Sequence, residues 1–322
     1  MKSERSILEW DNKRYHTWNY YLKKRFSNKV FKVPLNANFS CPNRDGTLGT
    51  GGCIFCSAGG SGDFASDYNL SIHDQIITAK QLVLQKHTGS SYIAYFQAYT
   101  NTYAPVSYLE RIFTEAIQEP DIKVLSIATR PDCLPEETLD LLERINKQKP
   151  VWVELGLQTI HKSSSDFIRR GYDLDVFEKA VYDLKGRGIS VIVHTILYLP
   201  NETTDMMLQT ISYLNKLPID GIKLQLLHIL KGTDLADYYM SNPFHLPDLE
   251  EYLETLGIMI SHLRPDIVVH RITGDGPKSL LIAPLWTGNK RHVLNSIQKY
   301  FKNSDICQGK EYLCQKHLHF IN

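Results

Sequence analysis

Three cysteines in the first part of the chain have types and spacing that suit metal chemistry. They are Cys41, Cys53 and Cys56, in the pattern C-x11-C-x2-C, and the span between the first two is rich in glycine. Two cysteines separated by two residues can chelate a soft metal centre, and a flexible glycine-rich loop lets a third fold back toward them. The pattern therefore predicts a metal centre with three thiolate ligands on one loop.

Three is the informative number of thiolates, because a [4Fe–4S] cubane has four irons that each need a ligand. Three cysteines leave one iron open, and an open iron can hold the amino and carboxylate groups of S-adenosylmethionine (SAM). A low-potential cluster then donates one electron to the sulfonium, the S–C5′ bond breaks, and a 5′-deoxyadenosyl radical abstracts hydrogen from a substrate. The cofactor supplies the difficult step, while the protein positions the substrate.

A zinc site is the alternative interpretation of the same cysteines, with a histidine such as His73 as the fourth ligand. Structural zinc sites usually combine two pairs of ligands, and the sequence holds no second C-x2-C pair. The other cysteines are Cys133, Cys307 and Cys314, and we expect them to be single thiols without a metal.

Six short runs of β-branched and aromatic residues are each followed by a longer segment with helical spacing. The runs span residues 30–35, 91–98, 124–130, 151–159, 190–199 and 221–230. Apolar strands that alternate with helices form a parallel sheet covered on both faces. The sequence therefore predicts an α/β protein with a partial (β/α)6 barrel, and Asp175-x-x-Glu178 predicts a capping box on one of its helices.

The regular alternation of strands and helices ends after about residue 240. The chain continues as a helix, a strand, a Gly-Asp-Gly-Pro loop and a last helix, at residues 249–263, 267–273, 274–277 and 290–301. We therefore expect three parts: a basic aromatic N-terminal segment (1–29), the partial barrel (30–240), and an α+β C-terminal extension that caps the barrel (241–322).

Charge is balanced in total but unevenly distributed. The 322 residues carry 36 Lys and Arg against 35 Asp and Glu, a net charge of +1. Residues 1–40 carry nine basic against three acidic side chains, interleaved with aromatics, and residues 285–322 carry six against two. Basic ends of this kind suit contact with a polyanion such as RNA, although solvated charges beside packed aromatics give the same pattern.

The composition predicts a globular protein, since 43% of the residues are hydrophobic. The sequence has no stretch of about 18 consecutive apolar residues, the length that a membrane-spanning helix requires. The first residues also lack the apolar core of a signal peptide. We therefore expect a cytoplasmic protein with no membrane partner, whose cysteines do not form disulfides.

The cysteine loop resembles that of the radical SAM superfamily. Two segments at strand ends, 126–132 (SIATRPD) and 153–159 (VELGLQT), resemble those of Elp3-type radical enzymes. The opening run 11–20 (DNKRYHTWNY) resembles the start of the bacterial YhcC/YtqA-like family, the MnmL-like tRNA modification enzymes. The resemblance implies a radical-SAM barrel with a [4Fe–4S] cluster and SAM as cofactors.

The same resemblance implies that Cys41, Cys53 and Cys56 bind the cluster and that Gln158 and Arg170 contact SAM. The chemistry of these side chains agrees, because an amide can bond ribose hydroxyls and a guanidinium can pair with a carboxylate through two hydrogen bonds. No catalytic residue is assigned from the sequence.

Five further residues complete the predicted set of SAM contacts: Gln97, Asn101, Arg130, Glu154 and His194. Gln97 and Asn101 stand where related enzymes use Gly-Gly-Thr to meet the methionyl amine. Two alternatives stay open: Glu154 and His194 as satisfied polar groups inside the barrel, and Arg130 as a loop cap paired with Asp132. Polar residues at the carboxyl ends of barrel strands usually serve the site, which favours contact with SAM over these two alternatives.

Two positions depart from the Elp3 pattern. Ala128 and Tyr172 stand where Elp3-type sequences tend to have Glu and His. The departure implies a changed substrate or SAM pocket.

The resemblance implies an enzyme that modifies the C5 side chain of the wobble uridine in tRNA, with trimming of carboxymethylaminomethyluridine to aminomethyluridine as the specific expectation. An electron donor such as flavodoxin or ferredoxin is the second expected partner. Two alternatives stay open: a radical SAM enzyme for a small metabolite or a protein side chain, and a non-catalytic iron–sulfur or zinc-binding module in an RNA complex.

Overall fold

The computed structural model of the protein describes residues 10–60, 62, 65–85, 91–274 and 276–319, so the first nine residues of the predicted N-terminal segment lie outside it. The described strands are β1 (Val30–Leu35), β2 (Ser91–Phe96), β3 (Ile122–Thr129), β4 (Val151–Gln158), β5 (Ser190–Leu197), β6 (Gly221–Leu226), β7 (Ile229–Leu230), β8 (Val268–Arg271) and β9 (Leu281–Ala283).

Helices follow most of the strands along the chain. They are α1 (Trp18–Phe26), α2 (Ile72–Leu84), α3 (Val106–Gln118), α4 (Glu136–Asn146), α5 (Lys162–Phe167), α6 (Leu174–Gly186), α7 (Thr204–Leu214), α8 (Asp234–Ser241), α9 (Leu249–His262), α10 (Lys290–Asn303) and α11 (Lys310–His319), with short 3₁₀ helices at Pro131–Cys133 and Leu285–Gly288.

Seven strands form one parallel sheet in the order β1-β2-β3-β4-β5-β6-β8, which curls into a half-barrel. This confirms the predicted α/β partial barrel with a C-terminal extension. The seventh strand is the difference: β8 comes from the segment assigned to the extension, and it pairs in parallel with β6 through Gly221 opposite Val268. Val268 and Val269 are buried, so this strand adds apolar area to the core.

Two local predictions were wrong. The predicted strand 221–230 divides into β6 and β7, and β7 pairs antiparallel with β9 in a separate ribbon. The predicted capping box also fails, because α6 begins at Leu174 with Asp173 at its N-cap position, which places Asp175 inside the first turn.

The inner face of the half-barrel is layered, because side chains alternate between the two faces of each strand. The layer nearest the amino ends is apolar and contains Val30, Ile93, Val124, Trp152 and Ile192. Two residues further along the same strands, the inward positions are polar: Lys32, Tyr95, Ser126, Glu154 and His194. Two residues further again, the inward positions line a cavity: Gln97, Ala128, Gly156 and Ile196.

Helix α1 closes the amino end of the half-barrel. Its Trp18 ring lies 5.1 Å from Trp152 and 4.0 Å from His270, measured between ring centroids. Leu22 is buried in the same apolar layer. The aromatics of the N-terminal segment therefore pack into the fold, while the neighbouring charges at residues 23–25 are exposed.

A membrane-spanning segment would need a long apolar helix, and none of the helices in the described part of the chain meets that requirement.

Candidate active site

A cavity of about 270 Å³ opens at the carboxyl ends of the strands. The loop between β1 and α2 forms one wall, and the ends of β2 to β6 and β8, with the connection after α5 and the segments beside β7, form the rest. This is the end of a parallel barrel where catalytic residues usually lie.

The three predicted cluster ligands line this cavity together. Cys41, Cys53 and Cys56 all contribute to its wall and all are free thiols. Tight turns shape the loop, since the amide of Arg44 donates to the carbonyl of Cys41 at 2.8 Å and the amide of Cys56 donates to that of Cys53 at 2.9 Å. Gly52 has a φ of +74°, which favours glycine immediately before Cys53.

Polar neighbours hold the cysteine loop against the rest of the site. The Asn43 amide donates to the sulfur of Cys53 at 3.4 Å and to the carbonyl of Arg169 at 2.7 Å. Arg44 Nη2 donates to the carbonyls of Cys56 and Ser57 at 3.0 and 2.8 Å. The loop is therefore anchored by two side chains of its own sequence.

Burial, and after it the neighbouring Cys56, raises the pKa of the Cys53 thiol to about 11. A thiol of this kind stays protonated at neutral pH unless a cation stabilises the thiolate. Loading a metal centre would release the proton. The chemistry of the donor set, three cysteines on one wall, fits a soft metal centre.

The arrangement differs from that of a mononuclear site. Among the described residues, no group of three or more His, Cys, Asp and Glu side chains is placed to hold a single metal ion. A cubane does not require such convergence, because each thiolate binds a different iron. His73, the fourth ligand of the zinc alternative, lies on α2 and bonds Glu119 at 2.5 Å through Nδ1.

Gln158 ends β4 with an unusual backbone. Its φ is +65°, and the pairing with β5 shifts register between Gly156 and Gln158. The side chain lines the cavity, and its buried Oε1 has no hydrogen-bond partner among the described residues. A buried acceptor without a partner is costly, so a ligand donor is the expected complement.

Arg170 lies beside Gln158 in the cavity wall. Its Nη1 donates to the carbonyls of Leu157 and Thr159 at 3.0 and 2.7 Å, and Nε donates to that of Tyr172 at 3.0 Å. These bonds to the backbone after β4 fix the guanidinium beside the bulge.

Arg130 also lines the cavity, and it is paired with Asp132 through two hydrogen bonds of 2.9 and 2.7 Å. The Tyr172 ring lies between two cations, 5.0 Å from the guanidinium of Arg130 and 4.9 Å from that of Arg170. Arg130 thus has the pairing with Asp132 that the loop-cap alternative requires, and it also faces the site.

Gln97 and Asn101 are not brought together. Gln97 lines the cavity, whereas Asn101 is fully buried behind it and donates from Nδ2 to the carbonyl of Ala128 at 2.8 Å. Ala128 and Tyr172, the two departures from the Elp3 pattern, both line the cavity.

Glu154 and His194 lie on the cavity floor, in the polar layer. One Glu154 oxygen accepts from Lys32 at 2.8 Å and from Ser126 at 3.0 Å. The other accepts from Tyr95 at 3.0 Å and His194 at 2.8 Å, and also from Lys223 of β6. Five side chains of the half-barrel strands therefore hold this carboxylate in place.

The ionisation of the floor follows from this packing. Although burial opposes a charge on Glu154, the ammonium groups of Lys223 and Lys32 hold its pKa well below the usual range. Burial, reinforced by Lys223, lowers the pKa of His194 to about 4. Burial also lowers the pKa of Lys223 to about 7, against the opposing effect of Glu154.

The sequence predictions missed Lys32, Tyr95 and Lys223. A signal was present for the two lysines: each stands in a strand of mostly apolar residues, VFKVPL and GIKLQL. An isolated lysine inside a buried strand indicates a paired interior charge.

Comparison with known proteins agrees with this site. Residues 46–214, just over half of the chain, match the Radical SAM superfamily, and residues 219–303 match the Radical_SAM C-terminal domain. The chain is 44% identical to the uncharacterized protein YtqA of Bacillus subtilis over 92% of both chains. It is 38% identical to protein YhcC of Escherichia coli over 88% of this chain and 91% of that one.

More distant relatives share part of their length with this chain. The chain is 26% identical to the tRNA uridine(34) acetyltransferase of Methanocaldococcus jannaschii, over 56% of this chain and 33% of that protein. The solved structure of the archaeal Methanocaldococcus infernus Elp3 superposes with a TM-score of 0.67 at 17% identity, covering 87% of this chain and 64% of that one. This superposition supports the half-barrel fold.

The superfamily implies a [4Fe–4S] cluster and SAM as cofactors. The chain is therefore an enzyme, and the alternative of a non-catalytic binding module is set aside. On its cysteine loop, its half-barrel and its relatives, the chain belongs to the radical SAM superfamily and, within it, to the family of YtqA and YhcC.

Proposed function

We propose that this radical SAM enzyme modifies the C5 side chain of the wobble uridine in tRNA. The observation that carries the proposal is the cavity in which the cysteine loop and the polar ends of the strands meet. The tRNA assignment is supported by the relative named tRNA uridine(34) acetyltransferase.

In this proposal Cys41, Cys53 and Cys56 hold the cluster, and the remaining wall holds SAM. When bound, the two cofactors supply one-electron cleavage of SAM and a 5′-deoxyadenosyl radical that takes hydrogen from the substrate. An electron donor such as flavodoxin or ferredoxin would reduce the cluster.

The protein's own side chains divide the work of binding. The unpartnered Oε1 of Gln158 accepts a hydrogen bond from a ribose hydroxyl. The guanidiniums of Arg170 and Arg130, which line the cavity, would meet the methionyl carboxylate, and Gln97 would meet the methionyl amine. Asn101 acts through the backbone, because its amide fixes the end of β3 at Ala128.

Glu154 and His194 belong to the floor of the cavity, below the SAM contacts. Within the polar layer, Glu154 and Lys223 keep their charges away from water, since Glu154 is 1% exposed and Lys223 3%. The apolar layer beneath closes the amino end with Trp152. Both layers exclude solvent from the place where a radical must be protected.

The test uses anaerobically reconstituted enzyme with SAM and a reductant, incubated with tRNA from cells that lack this enzyme. We expect a mass change confined to the nucleoside at the wobble position. The Gln158→Ala variant should convert less tRNA at limiting SAM, and Gln148→Ala, in the turn after α4, is the matched control. Unchanged tRNA, with SAM cleavage intact, would send the search to metabolites or protein side chains.

A further inference from the structure

We propose that Lys223 transfers a proton to or from the substrate at the floor of the cavity, and that Glu154 is the residue that positions it. In the transfer an N–H bond at Nζ forms as an O–H or N–H bond of the substrate breaks, or the reverse, and no electron changes hands. The inference depends on the proposed function only for the identity of the substrate.

Lys223 has the geometry of a group that faces a ligand. It lies on β6, lines the cavity, and its side chain is 4% exposed. Its Nζ is held by the carboxylate of Glu154 and by the hydroxyl of Tyr95 at 3.1 Å. The ammonium is therefore fixed in place at the wall of the site.

Glu154 acts through its neighbours. Its two oxygens accept bonds from five donors on five strands, at Lys32, Tyr95, Ser126, His194 and Lys223. A carboxylate so fully engaged sets the position and charge of the lysine more than it contacts a substrate.

A purely structural purpose does not account for this cluster. Burying paired charges costs desolvation that an apolar replacement avoids. The layer directly below shows that these strands accommodate apolar residues, since Trp152 and Ile192 precede Glu154 and His194 by two positions. Charges placed at the cavity end of a barrel usually serve the site.

Several titratable groups face Lys223: Lys32 from β1, Tyr95 from β2, Glu154 from β4, His194 from β5, and His270 and Arg271 from β8. Burial keeps His194 and His270 neutral and Tyr95 protonated, as their pKa shifts show. Glu154 is ionised and Arg271 stays charged. Lys32 does not line the cavity. Of these groups, Lys223, with a pKa of about 7, is the one that faces the cavity and exchanges its proton near neutral pH.

The first test needs no RNA. Reconstituted enzyme is treated with a trace of acetic anhydride at several pH values, and acetylation is read by peptide mass spectrometry. Lys223 should reach half-maximal reactivity near pH 7, whereas the lysine of a model peptide added to the same sample should do so near about 10.4. Half-maximal reactivity above pH 9, or no reaction at any pH, would overturn the inference, because a substrate could not use such an amine.

The second test measures the role. Lys223→Arg keeps a cation that does not lose its proton, so product formation at pH 7 should fall by about 100-fold or more. Lys216→Arg is the matched control, and visible absorbance of the cluster checks that each variant is loaded. Wild-type product formation by Lys223→Arg would contradict the proposal.

The Glu154→Gln variant tests whether Glu154 positions Lys223, because a merely structural role would leave the pH profile of product formation unchanged. Removing the carboxylate lowers the pKa of Lys223, so the pH profile of product formation should shift to lower pH. An unshifted profile would remove Glu154 from the proposal. If the wild type makes no product from tRNA, the proposed substrate is wrong. The acetylation profile still shows, independently of the substrate, whether Lys223 exchanges its proton near neutral pH.

Discussion

Glu154 joins the strands of the half-barrel through one carboxylate, because its five donors come from β1, β2, β3, β5 and β6. Removing one charged partner of this buried carboxylate leaves a charge without compensation, which costs about 3–5 kcal/mol. The floor of the site is therefore sensitive to protonation as well as to substitution.

His194 makes this sensitivity measurable. Its pKa is about 4 in the folded protein and about 6.5 in an unfolded chain. Between these values the unfolded chain binds a proton that the folded protein does not, so the free energy of unfolding falls as pH drops from 6.5 to 4. For this group the loss is roughly 3 kcal/mol.

The His194→Gln variant keeps an amide donor toward Glu154 but does not titrate. Chemical denaturation at several pH values should therefore show a shallower loss of stability below pH 6.5 than in the wild type. His245→Gln, at a side chain that is 68% exposed, serves as the control. Equal slopes for His194→Gln and the wild type would show that the imidazole is not held neutral.

Residues of the site differ in how well the sequence predicts them. The cysteines are predictable because their spacing alone implies a chelate, and the structure places all three on one wall. Lys223 and Tyr95 were missed because their meaning depends on which strand face points inward. That face becomes visible only in the folded sheet, where Trp152 lies in the inner apolar layer and Glu154, two residues further along the same strand, lines the cavity.

The cysteine loop is positioned by contact with the connection after β2. The amide of Tyr99 donates to the carbonyl of Gly60 at 2.9 Å, and its hydroxyl donates to the carbonyl of Ala58 at 2.5 Å. Gly60 has a φ of +59°, and an added Cβ there would lie 2.3 Å from the Tyr99 ring. The loop can approach this closely only because the residue is glycine.

Gly60→Ala should therefore destabilise the protein by about 1–3 kcal/mol and reduce the iron bound per chain. Thermal unfolding and iron analysis measure the two effects. Gly186→Ala is the matched control, since an added Cβ there meets no atom within 4 Å. Iron content equal to the wild type in Gly60→Ala would show that the Tyr99 contact does not position the loop.

The positions of the strands and helices were more predictable than the pairing of the strands. The alternation of strands and helices indicated the half-barrel, because buried parallel strands are apolar along their whole length. The pairing of β8 with β6 could not be predicted, since a four-residue strand carries no signal for the edge that it joins. The same holds for the two-residue β7 and its partner β9.

At the scale of the molecule, two groups of exposed basic side chains lie at opposite ends of the half-barrel. Exposed charges at Lys23, Lys24 and Arg25 lie at the amino end of the half-barrel, where α1 packs. The cavity opens at the opposite end, beside the β7–β9 ribbon with its exposed Lys231 and Lys278. The structure thus argues against the hypothesis that the N-terminal segment contacts tRNA near the cavity.

Charge reversal tests this arrangement. The Lys231→Glu and Lys278→Glu double variant should bind tRNA more weakly, with the slope of log affinity against log salt reduced by about 2, because two phosphate contacts are lost. The Lys23→Glu and Lys24→Glu double variant should change affinity less than about threefold. Filter binding at several salt concentrations measures both, and the reverse ranking would place RNA at the amino end.

The central claim is that the cysteine loop and the cavity beside it carry radical SAM chemistry. The most direct measurement is 5′-deoxyadenosine release from SAM by anaerobically reconstituted protein with dithionite, comparing wild type, Cys53→Ala and Cys314→Ala. We expect release by the wild type and by Cys314→Ala, whose substitution lies on α11, and none by Cys53→Ala. Undiminished release by Cys53→Ala, or no release by a fully loaded wild type, would contradict the account.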